Sequence, residues 1–256
     1  MKLEEVKING KVIPVEWKAS PNCSGVLVPE GCVIHYTAGG INSDTWLTNP
    51  QAKASAHFIV RRDGSILQLV DTDVKAYHAG SSSWRGKKSC NNFLLGIEIE
   101  NWGKVKKVGD KFYTYLKDWT YELPSRYPTP VEANGEWWEP FTEEAIESTA
   151  ALAKWMMETY KITTDDFPGH NDVSPGRKID PGAAFPRTKF LNLIEEKPIE
   201  VVKHEEPKSV DENEETELEI AKAEETTAVL DEKQKIAENR KDPCLLFKKK
   251  PSGTAS

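Results

Sequence analysis

The feature that most limits what this chain can fold into is a change of composition at Glu195. From there the sequence reads "EEKPIEVVKHEEPKSVDENEETELEIAKAEE", rich in glutamate and lysine and poor in aromatics, and it ends on the basic "FKKKPSGTAS". Such text offers too little apolar surface to offset the entropy of ordering the chain. Any sizeable core must therefore come from residues 1–194, and residues 195–256 are expected to form a charged low-complexity tail, disordered or loosely helical. The tail holds 17 acids and 11 bases of the chain's 41 and 34, which leaves 24 and 23 for the body. A body so close to neutral lacks the basic surplus of a nucleic-acid binder, so nucleic acid is not expected as a partner.

The N-terminus, "MKLEEVKINGKVIPVEW", carries charges early and shows neither the apolar run nor the small-residue cleavage site of a secretory signal. No segment approaches the roughly 20 apolar residues of a membrane span. The expected location is the cytoplasm. Cys23, Cys32, Cys90 and Cys244 are scattered without a Cys-x-x-Cys pair. Reduced thiols are expected, rather than a disulfide framework or a cysteine zinc ribbon.

Periodicity gives the body its elements. "GVLVPEGCVIHYTAGG" reads as an interior strand that delivers His35 at its C-terminal end before a glycine turn. Ser43 to Leu47 has the look of a short helix. "SAHFIVRRDGSILQLV" reads as a hairpin with a primed turn at Asp63-Gly64, Ala56, Phe58 and Val60 alternating with His57, Ile59 and Arg61. In "FLLGIEIEN", Leu95, Ile97 and Ile99 face one way while Gly96, Glu98 and Glu100 face the other. After a polar, aromatic stretch from Trp102 to Phe141, "TEEAIESTAALAKWMMETY" is helical in character with Thr142 as its cap. Strands mixed with long helices predict an α/β or α+β layered fold on one sheet.

The loop "GHNDVSPGRKIDPG" carries the chemistry. It is too rich in glycine and proline for a helix or strand, yet it holds His170, Lys178 and Asp180. A catalytic zinc takes three protein ligands from His, Cys, Asp and Glu and keeps a fourth position open. His170 and Asp180, ten residues apart in a folded-back loop, suit two of these positions. His204 lies in the tail, so the third ligand is sought among His35, His57 and His78, with His35 best placed at its strand end. The alternative is a polar strand-end histidine and a salt-bridged surface turn, since the spacing is less diagnostic than His-Glu-x-x-His.

Five blocks in order, "VIHYTAGG", "ASAHFIVRRDGSILQLV", "AYHAGSSSW", "NNFLLGIEIEN" and "GHNDVSPGRKIDPGAAFP", resemble the zinc-dependent N-acetylmuramoyl-L-alanine amidases of the amidase-2 family, which are related to peptidoglycan-recognition proteins. The resemblance covers about residues 30–190. It implies an α/β fold with a mixed central sheet flanked by helices, and cleavage of the amide between the lactyl group of N-acetylmuramic acid and L-alanine. It further implies one Zn2+ per chain on His35, His170 and Asp180, with Glu98 as acid-base and Lys178 facing the oxyanion. Where one branch of the family has tyrosine before the "HF" of the hairpin, this chain has Ala56, which places it with the glutamate-using branch.

Peptidoglycan or muropeptide is then the expected partner. His57, His78 and Trp84 are candidates for substrate contact, with structural roles as the alternative; Trp102 is read as a core or rim aromatic with stacking on sugar or peptide as its alternative, and Glu100 is structural or supports its neighbours. The tail is a candidate for protein or wall contact. Two other readings stand beside the enzyme: a muropeptide-binding module without catalysis, and an adaptor defined by its tail. Within the enzyme reading, a recycling enzyme and an endolysin that reaches the wall through another protein's pore both fit.

Overall fold

A computed structural model describes residues 1–195. The tail and its expected looseness lie outside these residues, as does the test of a boundary at 194. Six strands form a mixed sheet: β1 (Glu5–Ile8), β2 (Lys11–Trp17), β3 (Cys32–Tyr36), β4 (Phe58–Val60), β5 (Ile66–Gln68) and β6 (Leu95–Ile99), in the order β1-β2-β5-β4-β6-β3. β2 runs parallel to β5, and β6 runs parallel to both β4 and β3. The fold is thus a mixed central sheet with flanking helices. No helix among the described residues is long and apolar enough to cross a membrane.

One face of the sheet is apolar. Ile34, Phe58, Val60, Leu95, Ile97 and Ile99 pack there against Ala145, Ile146, Ala150 and Met156 of the helix Glu143–Tyr160 and against Phe190 of the helix Arg187–Glu195. The longer helix starts where its sequence asks: the Thr142 hydroxyl accepts the Ala145 N–H and donates to the Arg62 carbonyl, and Glu143 and Glu144 lie in the first turn. By strand alternation His35, His57 and Glu98 fall on the opposite face.

Three expectations need correction. β3 is the edge strand of the sheet, not an interior one; Cys32 to His35 are nevertheless buried because its open side is covered by a bridge from Ile34 to Gly169, with the Ile34 N–H donating to the Pro168 carbonyl at 2.9 Å. The hairpin turn is not primed, since only Gly64 is left-handed (φ 80°). Gly64 N–H donates to Arg61 O and Arg61 N–H to Ser65 O, a type I turn closed by a glycine bulge. Cys32 and Cys90 are free and buried, but Cys23 is disulfide-bonded, so the thiols are not all reduced.

Between β6 and the long helix the segment expected only as polar and aromatic forms a second, five-stranded sheet: β7 (Lys104–Val108), β8 (Lys111–Thr114), β9 (Tyr121–Glu122), β10 (Val131–Ala133) and β11 (Glu136–Trp138), in the order β9-β8-β7-β11-β10. Trp102, Val105, Leu123 and Tyr127 make its small core. A buried pair roots it to the first hairpin: Arg62 Nε and Nη2 donate to Glu139 at 2.7 and 2.9 Å, and Glu139 also accepts the Trp102 N–H.

Candidate metal centre

The covered edge of β3 is what assembles the site. His35 is the fourth residue of the strand, and the segment that covers the edge continues directly from Gly169 into His170. The stretch expected to be loop throughout opens instead with one helical turn, His170–Val173, and then folds back: the Asn171 N–H donates to the Asp180 carbonyl at 2.9 Å, which closes the ten-residue gap. Trp138 of the second sheet braces the far end, where an added Cβ on Gly182 would stand 2.4 Å from the indole, so only glycine fits there.

His35 Nδ1, His170 Nδ1 and Asp180 Oδ2 form a triangle with sides of 2.9, 3.0 and 2.9 Å. The residues are 1%, 3% and 7% exposed. A tetrahedral ion with ligands at 2.0–2.1 Å separates its donor atoms by about 3.3 Å, so the triangle is slightly contracted but of the right size.

The hydrogen bonds behind the triangle show that it fits a cation. His78 Nε2 lies 3.1 Å from the Leu94 carbonyl, which can only accept, so the proton is on Nε2 and His78 Nδ1 is an acceptor. That acceptor lies 3.0 Å from His35 Nε2. His35 therefore carries its proton on Nε2 and turns a bare lone pair on Nδ1 toward the triangle. His170 Nε2 lies 3.1 Å from the Ala79 carbonyl and 3.2 Å from Arg177 Nη2, which also donates to that carbonyl at 2.6 Å, so Ala79 and Arg177 fix the ring from behind. Burial holds His35 below the usual histidine range against the raising effect of Asp180, so it is neutral. The His35 lone pair, the His170 ring nitrogen and the Asp180 carboxylate converge on one point, a donor set that a cation would join.

Glu98 faces this group from the neighbouring strand, since the parallel register sets it directly beside His35. Its Oε2 is buried without a hydrogen-bond partner. Burial first, and the negative charge of Asp180 second, push its pKa well above the usual carboxylate value, and Lys178 acts the other way. Lys178 itself is exposed on the loop. A buried, unpartnered carboxyl beside the triangle is placed to exchange a proton with a water bound there.

The other candidates are placed as follows. His57 is fully buried, its Nδ1 accepting the Gly96 N–H at 3.0 Å and its Nε2 bonded to the Val74 carbonyl at 2.9 Å, so neither nitrogen is left for a substrate. Trp84 is half-buried and packs on the cluster of Val33, Ala79, Cys90 and Phe93. Trp102 is a core aromatic of the second sheet, and Glu100 is buried with Oε2 3.5 Å from Arg62. Sequence reasoning missed Arg177, which donates to the carbonyls of Ala79 and Ser81 and so binds the metal loop to the loop after His78. Nothing in the spacing of Arg177 signals this.

The fold and this buried group define a class, the N-acetylmuramoyl-L-alanine amidases of the Amidase_2 family. That family matches residues 26–183, and the chain belongs to it. Among curated relatives, the 1,6-anhydro-N-acetylmuramyl-L-alanine amidase AmpD of Haemophilus influenzae is 32% identical over 145 residues, 56% of this chain and 60% of that protein. The N-acetylmuramoyl-L-alanine amidase AmiD of Escherichia coli is 34% identical over 162 residues, 60% of this chain and 49% of that one. The chain thus spans three fifths or less of the length of these relatives. Among solved structures, a selenomethionine AmpD derivative superposes with a TM-score of 0.53 at 25% identity, covering 70% of this chain and 94% of that one. AmiD from E. coli, in complex with the substrate anhydro-N-acetylmuramic acid-L-Ala-D-gamma-Glu-L-Lys, gives 0.50 at 28% identity, covering 74% and 65%.

Proposed function

We propose that this chain is a zinc-dependent N-acetylmuramoyl-L-alanine amidase that hydrolyses the amide between the lactyl carbonyl of N-acetylmuramic acid and L-alanine in peptidoglycan or its muropeptide fragments. The observation that carries the reading is the convergence of His35 Nδ1, His170 Nδ1 and Asp180 Oδ2 beside an unpartnered Glu98 oxygen. A zinc held by these three residues would supply a Lewis acid for the scissile carbonyl and would lower the pKa of a bound water.

The remaining chemistry belongs to the chain. Glu98 takes a proton from the attacking water and delivers it to the nitrogen of L-alanine as the C–N bond breaks, a contribution of roughly a hundred- to ten-thousand-fold. Water's oxygen ends in the new lactyl carboxylate, and the proton ends on the new amine. The Lys178 ammonium faces the oxygen that becomes negative in the transition state. A muropeptide-binding module without catalysis would not need the trio and a raised carboxyl together, which favours the enzyme reading.

The test is mass spectrometry of the products from intact sacculi and from soluble muropeptides. A new α-amino group on L-alanine and a free lactyl carboxylate are expected. New reducing sugar ends, or no cleavage of either substrate, would overturn the assignment.

A further inference from the structure

One short segment stands behind both histidine ligands. His78 Nδ1 lies 3.0 Å from Nε2 of His35, and the carbonyl of the next residue, Ala79, lies 3.1 Å from Nε2 of His170. The backbone of residues 78–81 therefore sets the orientation of two rings that meet at the triangle, and the side chains that hold this segment act on the metal centre through it. Asn91 Oδ1 accepts the N–H groups of His78 and Ala79 at 3.2 and 2.8 Å. On the carbonyl side, Arg177 Nη2 donates to Ala79 and Ser81 at 2.6 and 3.0 Å, and Arg177 Nε donates to Ser81 at 3.2 Å.

Arg177 lies between His170 and Asp180 on the loop that carries two ligands, whereas the oxygens it holds belong to the segment behind the rings. Ser174 of the same loop reinforces the contact, its hydroxyl donating to the Ser81 carbonyl at 2.6 Å and lying 2.7 Å from Arg177 Nη2. Gly80 lets the guanidinium approach: its φ is 58°, and an added Cβ would stand 3.4 Å from Nη2. The residue is exposed, so it fills no part of the core.

We propose that Arg177 is a positioning residue for the histidine ligands, acting by its forked contact with the segment 78–81, with Asn91 as its counterpart on the other side of that segment. This role rests on the zinc reading of the site and deepens it. Zinc on His170 Nδ1 requires the ring proton on Nε2, and the Ala79 carbonyl is the acceptor for that proton. A guanidinium fork fixes the segment in direction as well as distance, which a single ammonium does not. Electrostatics alone points the other way. Arg177 Nη2 lies 3.2 Å from His170 Nε2, where its charge repels a dication on the ring and favours a lone pair on Nε2, so by charge alone its removal would tighten zinc binding.

The test uses the whole chain and its Arg177→Gln, Arg177→Lys and Asn91→Ala variants. Zinc affinity is measured by competition with a chromophoric chelator, ligand geometry by the visible absorption of the cobalt(II)-loaded protein, and the fold by thermal unfolding of the metal-free form. Arg177→Gln is expected to bind zinc about 10- to 100-fold more weakly, with altered cobalt bands and metal-free unfolding close to wild type. Arg177→Lys, which keeps the charge and loses the fork, should bind about threefold to tenfold more weakly, and it carries the test if Arg177→Gln fails to fold. Asn91→Ala should weaken zinc binding in the same direction. Zinc affinity at or above the wild-type value in Arg177→Gln, full recovery in Arg177→Lys, or a loss of metal-free stability that matches the loss of affinity would each overturn the role of Arg177. A wild-type chain that binds no zinc would instead remove the reading on which that role rests.

Discussion

Removing the ring nitrogens of His78 should weaken zinc binding although His78 touches no metal. In His78→Phe the ring volume is nearly kept, but the Nε2–H of His35 loses its only acceptor in a residue that is 1% exposed. A buried donor without a partner costs about 1–3 kcal/mol. His35 can escape that cost only by moving its proton to Nδ1, which occupies the lone pair the metal needs. Either way the penalty falls on the metal-bound state, so zinc affinity should drop by about 5- to 150-fold, in line with the 10- to 100-fold typical of groups that orient a ligand.

A second substitution reaches the same contact from the other side. An alanine Cβ at position 96 would stand 2.6 Å from Cγ of His78, so Gly96→Ala must displace the ring and should produce a smaller loss in the same direction. His78→Gln should recover much of the affinity, because its amide oxygen accepts from His35 while its nitrogen can donate to Leu94. The assay is a zinc titration against a chromophoric chelator, with thermal unfolding of the metal-free protein as a separate readout. The reasoning is refuted if His78→Phe binds zinc within a factor of two of wild type, or if its metal-free form loses stability as much as the zinc-loaded form does.

Single changes of His35, His170 or Asp180 to alanine should each abolish tight zinc binding, since two protein ligands do not hold a catalytic ion; metal analysis after dialysis decides this. Glu98→Gln should keep zinc and fold but lose turnover by about a hundredfold or more, while Glu100→Gln, beside Arg62, should do much less; equal activities in steady-state assays would move the acid-base role elsewhere. The third concerns pH. Burial lowers the pKa of His57 from the ordinary 6.5 to about 4 in the folded chain, so the unfolded state binds more protons between those values and stability falls as the pH drops from 6.5 to 4. The share is up to about 3 kcal/mol. Urea unfolding of His57→Gln should show a shallower loss over that window, and an unchanged pH slope would count against the neutral, buried ring.

How much of this was legible depends on whether the cause is local. The alternation in "FLLGIEIEN" places Glu98 opposite the core without any knowledge of neighbours, and Thr142 followed by two glutamates starts a helix by its own hydrogen bonds. The loop from His170 to Asp180 announces itself because functional side chains in a glycine- and proline-rich stretch need a purpose. His57 and His78 were indistinguishable by the same means. What separates them is where their ring nitrogens end: His57 bonds only to backbone atoms, of Gly96 and Val74, and His78 relays a backbone carbonyl to His35. That is decided by β6 and by the chain before it, far away in sequence. The second sheet was hidden for a related reason, since its strands are short and its core is four residues and a rim of aromatics, too little for periodicity to register.

The misjudged strand is the most instructive, because its position explains the site. "CVIHY" is apolar enough to read as interior, and its first four residues are buried. An interior strand has both edges taken by partners, and no loop could then lie beside His35 at backbone distance. An edge strand with an exposed rim would invite pairing with other chains. The chain satisfies both conditions by letting Ile34 donate to Pro168, so that the open edge is closed by the very segment that introduces His170. Covering the edge and bringing the second ligand within 2.9 Å of the first are one structural event. A substitution that loosened the segment 167–169 should therefore cost metal affinity and edge protection together, whereas changes on the helix-packed face should cost stability alone.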